Sequence, residues 1–245
     1  MDSPLPASFP ELLAAFTHSP LSLAWRVPGV WPLIKPPGPT SHSLVTGLRR
    51  HLGIRRIGHA GTLDPLAQGL LVLLAGTASR LFSAFQAFPK TYRAAFRLGE
   101  RTDTQDRGGK PLPGWLPRRT PPLAAAELTD LLPAFRGEIQ QIPPMFSALK
   151  KNGVPLYRLA RQGLSLERPA RTVQVYSLEV LSFDGWEGEM ELSVSSGFYV
   201  RSLVDELGEK LATGAVLTNL CRRAIGPFHL DQAKTLAELA LPSVN

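Results

Sequence analysis

Apolar and polar positions alternate most cleanly over Thr91–Leu98, with Tyr92, Ala94, Phe96 and Leu98 on one face and Thr91, Arg93, Ala95 and Arg97 on the other. A period of two over such a run predicts a half-buried β-strand. Thr172–Phe183 and Glu189–Ser195 flank Asp184-Gly185 and are predicted as paired strands joined across that turn. Trp31–Lys35 reads as a short strand stopped by Pro36-Pro37-Gly38-Pro39. Helical spacing appears at Leu44, Val45, Leu48 and Leu52, with Ser41 or Ser43 as cap and Gly53 at the end. It returns at Leu203, Leu207 and Leu211 within Phe198–Ala212. Further helices are predicted from Pro65 to about Leu74, with Pro65 in the first helical position, and over Ala78–Ala87, Leu123–Leu132 and Val154–Gln162, the last stopped by Gly163. Arg55–Asp64 is a glycine-bearing basic loop, and Lys110–Pro122, with five prolines, is a surface loop. Strands and helices do not alternate strictly, so the predicted class is α+β with a largely antiparallel sheet.

Composition sharpens this picture. The chain has 245 residues, 44% of them hydrophobic, enough for a sizeable core and too many for intrinsic disorder of the bulk. Residues 1–30 carry Pro4, Pro6, Pro10, Pro20 and Pro28 and one short apolar stretch, Leu12–Phe16, and read as an N-terminal extension with a single helix. The only cysteine, Cys221, excludes an intramolecular disulfide framework and a cysteine-only metal site. No apolar run approaches the roughly 20 residues of a membrane span, and no basic-then-apolar leader opens the chain. A cytoplasmic protein without a membrane partner is expected.

The formal charge is +7, from 27 basic and 20 acidic residues. Its placement says more than its size. Between Glu11 and Glu100 the only carboxylate is Asp64, against ten cations: Arg26, Lys35, Arg49, Arg50, Arg55, Arg56, Arg80, Lys90, Arg93 and Arg97. Such a field suits a polyanionic partner, and it favours the ionised form of a lone acid wherever the fold brings cations near it.

Asp64 stands in Gly58-His59-Ala60-Gly61-Thr62-Leu63-Asp64-Pro65-Leu66-Ala67-Gln68-Gly69-Leu70. The glycines permit close backbone approach to a ligand, and a carboxylate at a loop-to-helix junction can serve as a nucleophile or as an ion-pair anchor. His59 is a candidate for stacking on a nucleobase, or a partly buried structural residue. Lys90-Thr91-Tyr92-Arg93 and Phe198-Tyr199-Val200-Arg201 place aromatic rings beside cations, a pairing that unstacked-base recognition uses, although each taken singly reads more readily as a core aromatic with a surface charge. With Asp64 they offer a nucleophile, a stacking ring and a guanidinium partner. No metal site is expected: the histidines at 18, 42, 51, 59 and 229 form no ligand pair, and Asp103 with Asp106 reads as a turn network. Neither a Walker loop nor a dinucleotide fingerprint is present, so no cofactor is expected.

Taken in order along Trp31–Leu239, these segments resemble the TruB family, the pseudouridine synthases that act on the T-loop uridine of tRNA. Lys35-Pro36-Pro37-Gly38-Pro39-Thr40-Ser41 is similar to the family's opening motif, and Gly58–Leu70 to its catalytic motif. Lys90–Tyr92, Gly99–Asp106, Gln141–Lys150, Ser196–Leu203 and Leu220-Cys221-Arg222-Arg223 are similar to its later blocks. The resemblance implies the pseudouridine synthase fold, a mixed, mainly antiparallel sheet flanked by helices. It implies one catalytic domain over 31–245 that isomerises uridine at tRNA position 55 by base flipping, without a cofactor. Asp64 matches the nucleophile, Tyr92 the ring that packs on the target base, and Arg201 the partner of the carboxylate. His59, Tyr199, Leu220 and Lys35 match substrate-binding positions. The family often has an acid where Ile34 stands. Its bacterial members commonly continue into a small PUA-type RNA-binding domain, which is expected to be missing here. The implied partner is tRNA, through T-loop and stem, with no obligate protein partner.

Three other readings compete. A non-catalytic RNA-binding module would share the basic field but would not need Asp64, Tyr92 and Arg201 as a set. A glycoside hydrolase would need a second carboxylate, such as Asp205, to meet Asp64. A guide-RNA-dependent relative would need additional protein-binding segments.

Overall fold

The computed structural model describes residues 29–235 and Glu238. The extension predicted over 1–30, with its helix at Leu12–Phe16, lies outside the described residues apart from Gly29 and Val30. The chain divides into two compact units: one runs to Phe88 and resumes at Cys221, and the other is Pro89–Leu220.

In the first unit, strand β1 (Gly29–Lys35) leads into helix α1 (Ser41–Leu52). Then follow β2 (Ile57–His59), β3 (Gln68–Ala75), a 3-10 turn (Gly76–Leu81) and α2 (Phe82–Ala87). Thr40, not Ser41 or Ser43, caps α1: its side chain accepts the Ser43 N–H, and Gly53 closes the helix at φ 65°. β1 pairs antiparallel with β3 from Gly29↔Ala75 to Lys35↔Gly69, and β2 pairs antiparallel with β3 as well.

The helix predicted from Pro65 to Leu74 is instead a turn followed by strand β3. The reason lies in its burial. Leu70, Val72 and Leu74 pack with Val30, Phe85, Ile225 and Phe228, while Leu71, Leu73 and Ala75 pack with Trp31, Leu33 and the α1 residues Leu44, Val45 and Leu48. A strand buried on both faces reads as an unbroken apolar run, and periodicity cannot tell that from a buried helix. Pro65 fits either structure, because a first helical position and the second position of a β-turn demand the same φ.

The second unit contains β4 (Lys90–Leu98), α3 (Ala125–Thr129), a 3-10 turn (Leu132–Phe135) and β5 (Gly137–Gln141). It continues with β6 (Lys150–Lys151), β7 (Val154–Pro155), α4 (Leu156–Arg161), β8 (Arg171–Phe183), β9 (Glu187–Val194) and α5 (Val200–Lys210). Strand β10 (Ala215–Ile225) begins in this unit and ends in the first, where β11 (Phe228–His229) pairs with it. Here the strands run in the order β10-β4-β9-β8-β5. The alternation of β4 is realised: Tyr92, Ala94, Phe96 and Leu98 are buried, and Arg93 and Arg97 meet Glu189 and Glu187 on β9. The β8–β9 turn forms at Asp184-Gly185, where the Asp184 carboxylate accepts the N–H groups of Trp186 and Glu187. The pairings β4–β9, β8–β9 and β5–β8 are all antiparallel, and β3–β10 is parallel. The predicted α+β class with a mixed, mainly antiparallel sheet is the observed one. No helix among the described residues is long and apolar enough to cross a membrane.

Candidate active site

Asp64 opens a four-residue turn in the first unit, closed by the Ala67 N–H donating to the Asp64 carbonyl at 3.1 Å. Its side chain is half-buried. The expected loop-to-helix junction is therefore a loop-to-strand turn, and no helix dipole acts on the carboxylate from β3. Orientation comes from hydrogen bonds to the backbone on both sides of Asp64.

Ser41, 1% exposed, accepts the Leu63 N–H at 2.9 Å, and its hydroxyl donates to the Leu63 carbonyl at 3.1 Å. Lys35 is fully buried, and its ammonium donates to the carbonyls of Pro36 at 2.9 Å, Pro65 at 3.1 Å and Ala67 at 2.7 Å. Its three protons meet three backbone acceptors around the turn. Arg222, 1% exposed, donates to the Leu70 carbonyl at 2.8 Å, the Gly61 carbonyl at 3.0 Å and the Thr62 carbonyl at 3.5 Å. Its rigid fork thus bridges the chain before Asp64 to the chain after it.

Burial lowers the Lys35 pKa from 10.5 to about 8, while the charge of Asp64 acts the other way and that of Arg222 adds to the lowering. The protonated form fills all three carbonyls; a neutral amine has one N–H fewer and no charge beside Asp64. Turnover is therefore expected to fall as pH rises through about 8, measured as the alkaline limb of a rate profile. A profile level to about pH 10, the ordinary lysine range, would contradict this role.

Gly69 adopts φ +103° where β3 meets β10, and a Cβ there would stand 2.4 Å from the Arg222 carbonyl oxygen. Gln68 and Gly69 pair in parallel with Cys221 and Arg222, so the glycine lets the backbone carrying Arg222 reach the loop. Gly69→Ala is expected to lose about 3 kcal/mol or more of stability in urea unfolding, through strain and overlap together. His59, at the end of β2, is half-buried, and its pKa is held below 6.5 by burial first, then by the Arg222 and His42 charges. Near neutral pH its ring is uncharged.

Tyr92, Tyr199, Arg201 and Leu220 belong to the second unit. Tyr92 is 9% exposed on the buried face of β4, opposite Leu192, and Leu220 is 8% exposed on β10. Arg201, in the first turn of α5, is 3% exposed and donates to the carbonyls of Phe146 at 2.7 Å and Thr104 at 3.3 Å. Its guanidinium lies over the Tyr199 ring, 5.6 Å from the centre. Asp205, the candidate second acid of a hydrolase, is committed elsewhere. Its oxygens accept both arms of the Arg101 fork at 2.7 Å and the Gln105 amide at 3.1 Å. Asp103 and Asp106 accept turn N–H groups from Lys110 and Gly108, as a turn network does.

Sequence reasoning did not single out Arg222, nor Gln141, whose side chain pairs with the Tyr199 backbone. Both lie inside the family-like segments quoted above, and that was the one available signal.

The family model described as TruB family pseudouridylate synthase (N terminal domain) matches residues 49–200. The tRNA pseudouridine synthase B of Bordetella avium (strain 197N) is 43% identical over 211 residues, 86% of either chain. That of Moorella thermoacetica (strain ATCC 39073 / JCM 9320) is 44% identical over 212 residues, covering 85% of this chain and 68% of its own. A chain in the crystal structure of a Cbf5-Nop10-Gar1 complex superposes with a TM-score of 0.69 at 30% identity over 91% of this chain. The present chain spans 56% of the length of that one. Matched by the family model through more than half its length, and by these relatives through most of it, the chain belongs to the TruB family of pseudouridine synthases.

Proposed function

We propose that the protein isomerises uridine to pseudouridine at position 55 in the T-loop of tRNA, with Asp64 as nucleophile. The observation that carries this reading is the Asp64 turn itself: a half-buried carboxylate whose flanking peptides are pinned by Ser41, Lys35 and Arg222. The similar tRNA pseudouridine synthases supply the substrate class.

The reaction balances within the nucleoside. The C1′–N1 bond breaks, the uracil turns, and C5 bonds to C1′; the C5 proton leaves to water while N1 regains one. Asp64 supplies the electron pair that opens this sequence, and it returns unchanged. The target base must first leave its stack, at a cost of a few kcal/mol. Phosphate contacts from the arginines and lysines offset that cost, in a salt-dependent way. The uncharged His59 ring fits the vacated stacking position. Tyr92 packs on the extruded base, Tyr199 and Leu220 line its pocket, and Arg201 is the cation that the family resemblance assigns to the reaction. Lys35 serves the substrate indirectly, since two of its donors hold the turn and the third holds the Pro36 carbonyl. The partner engaged is the T-loop with its stem.

Tritium release from tRNA carrying 5-tritiated uridine tests this reading. Release is expected from unmodified tRNA and is expected to stop when position 55 is cytidine. Equal release from the two substrates would refute the assignment of the site.

A further inference from the structure

The stretch Gly197-Phe198-Tyr199, which leads into α5, is held from two neighbouring strands. Gln141 ends β5, Arg171 begins β8, and the two are directly paired in register. The Gln141 side chain, 3% exposed, engages both backbone polar groups of Tyr199: its Oε1 accepts the Tyr199 N–H at 2.8 Å and its Nε2 donates to the Tyr199 carbonyl at 3.0 Å. That carbonyl also accepts the Leu203 N–H, a bond of the first helical turn. Tyr199 has no side-chain cap of its own, so Gln141 anchors the entry to α5 from another strand.

Arg171 reaches the same stretch. Its guanidinium donates to the Gly197 carbonyl and lies over the Tyr199 ring, 5.0 Å from the centre. Gly197 has φ +81°, and a Cβ there would come within 3.4 Å of the Arg171 guanidinium. Arg201 lies over the same ring. Helix α5 is secured independently, by buried Leu203, Val204 and Leu207 and by the Asp205–Arg101 fork. What Gln141 and Arg171 add is a fixed backbone and a fixed ring at Tyr199.

We propose that Gln141 and Arg171 are positioning residues for pseudouridine formation: together they set Tyr199, and with it the spacing between its ring and the Arg201 guanidinium. The inference rests on the functional reading above. Because the pair acts on geometry, its loss falls on the chemical step. At saturating tRNA, Gln141→Leu and Arg171→Met are each expected to lower the single-turnover rate about 10- to 100-fold, with tRNA Kd changed less than about threefold. A double-mutant cycle with Tyr199→Ala gives the decisive readout. If Arg171 acts through the ring, Arg171→Met adds less than about a twofold loss in the Tyr199→Ala background.

Losses that multiply, or a defect confined to Kd, would overturn the inference; the latter would make Arg171 a phosphate contact. Should Arg171→Met fail to fold, Arg171→Lys runs the same cycle with the same two outcomes, since it keeps the charge and loses the planar ring contact. A wild-type protein inactive on tRNA would remove the functional reading and this inference with it, whereas an active one with multiplying losses removes the inference alone.

Discussion

Asp64→Asn is expected to leave tRNA binding within about threefold of wild type while turnover falls by on the order of 10⁴-fold or more, the scale seen when a nucleophile is lost. The substitution keeps the size of the side chain and removes only the anionic oxygen. The turn should survive it, because Asp64 holds the turn through its backbone carbonyl, and the neighbouring peptides are fixed by Ser41, Lys35 and Arg222. Binding should survive because phosphate contacts, which dominate affinity for nucleic acid, come from the cations. Tritium release measures turnover and filter binding measures Kd. Retained turnover would remove Asp64 from the chemistry, and equal losses in both would mean that the substitution had damaged the fold or the docking surface.

Arg222→Met carries the second large effect. The guanidinium is buried and donates to carbonyls on both arms of the loop that carries Asp64. Methionine fills much of the volume and leaves those carbonyls without their donor. Charged hydrogen bonds of this kind lead us to expect a loss of about 3 kcal/mol, or roughly 10 °C in melting temperature for a chain this long. Arg222→Lys keeps the charge but cannot span both arms. It is expected to melt closer to wild type and yet turn over on the order of 10²-fold more slowly, because a small misplacement of a reacting group is expensive. Thermal unfolding and single-turnover rates separate the two effects. Wild-type melting and rate in both variants would show that the loop holds Asp64 without the guanidinium.

Legibility in the sequence followed the range of the interactions. The β4 alternation and the β8–β9 turn could be read directly, because an exposed and a buried face, or an Asx turn, are written in adjacent residues. Helices α1 and α5 were equally legible from their apolar stripes. Strand β3 was not, since its neighbours cover both faces and erase the alternation. Strand β10 was missed for a related reason: it is largely buried and carries a buried arginine, which in sequence resembles a surface charge.

The same distinction runs through the site. Asp64 stood out as the sole carboxylate in a long basic stretch. Arg222 did not, because its acceptors are backbone carbonyls more than 150 positions away. Gln141 likewise acts on the Tyr199 backbone 58 positions on. A residue that works by bonding to distant main chain leaves no local pattern; only the matched family segments mark it. Lys35 shows the opposite case. Its motif was conspicuous, and what the sequence could not show is that its ammonium donates to two carbonyls of the turn that carries Asp64 and to that of Pro36.

On the proposed reading, this chain makes pseudouridine at one T-loop position by means of Asp64. Mapping pseudouridine across an unmodified tRNA, after incubation with the purified full-length protein and in parallel with Asp64→Asn, tests it most directly. The expected result is modification at position 55 with the wild type and none with the variant. Modification only elsewhere, or at position 55 with both proteins, would contradict it.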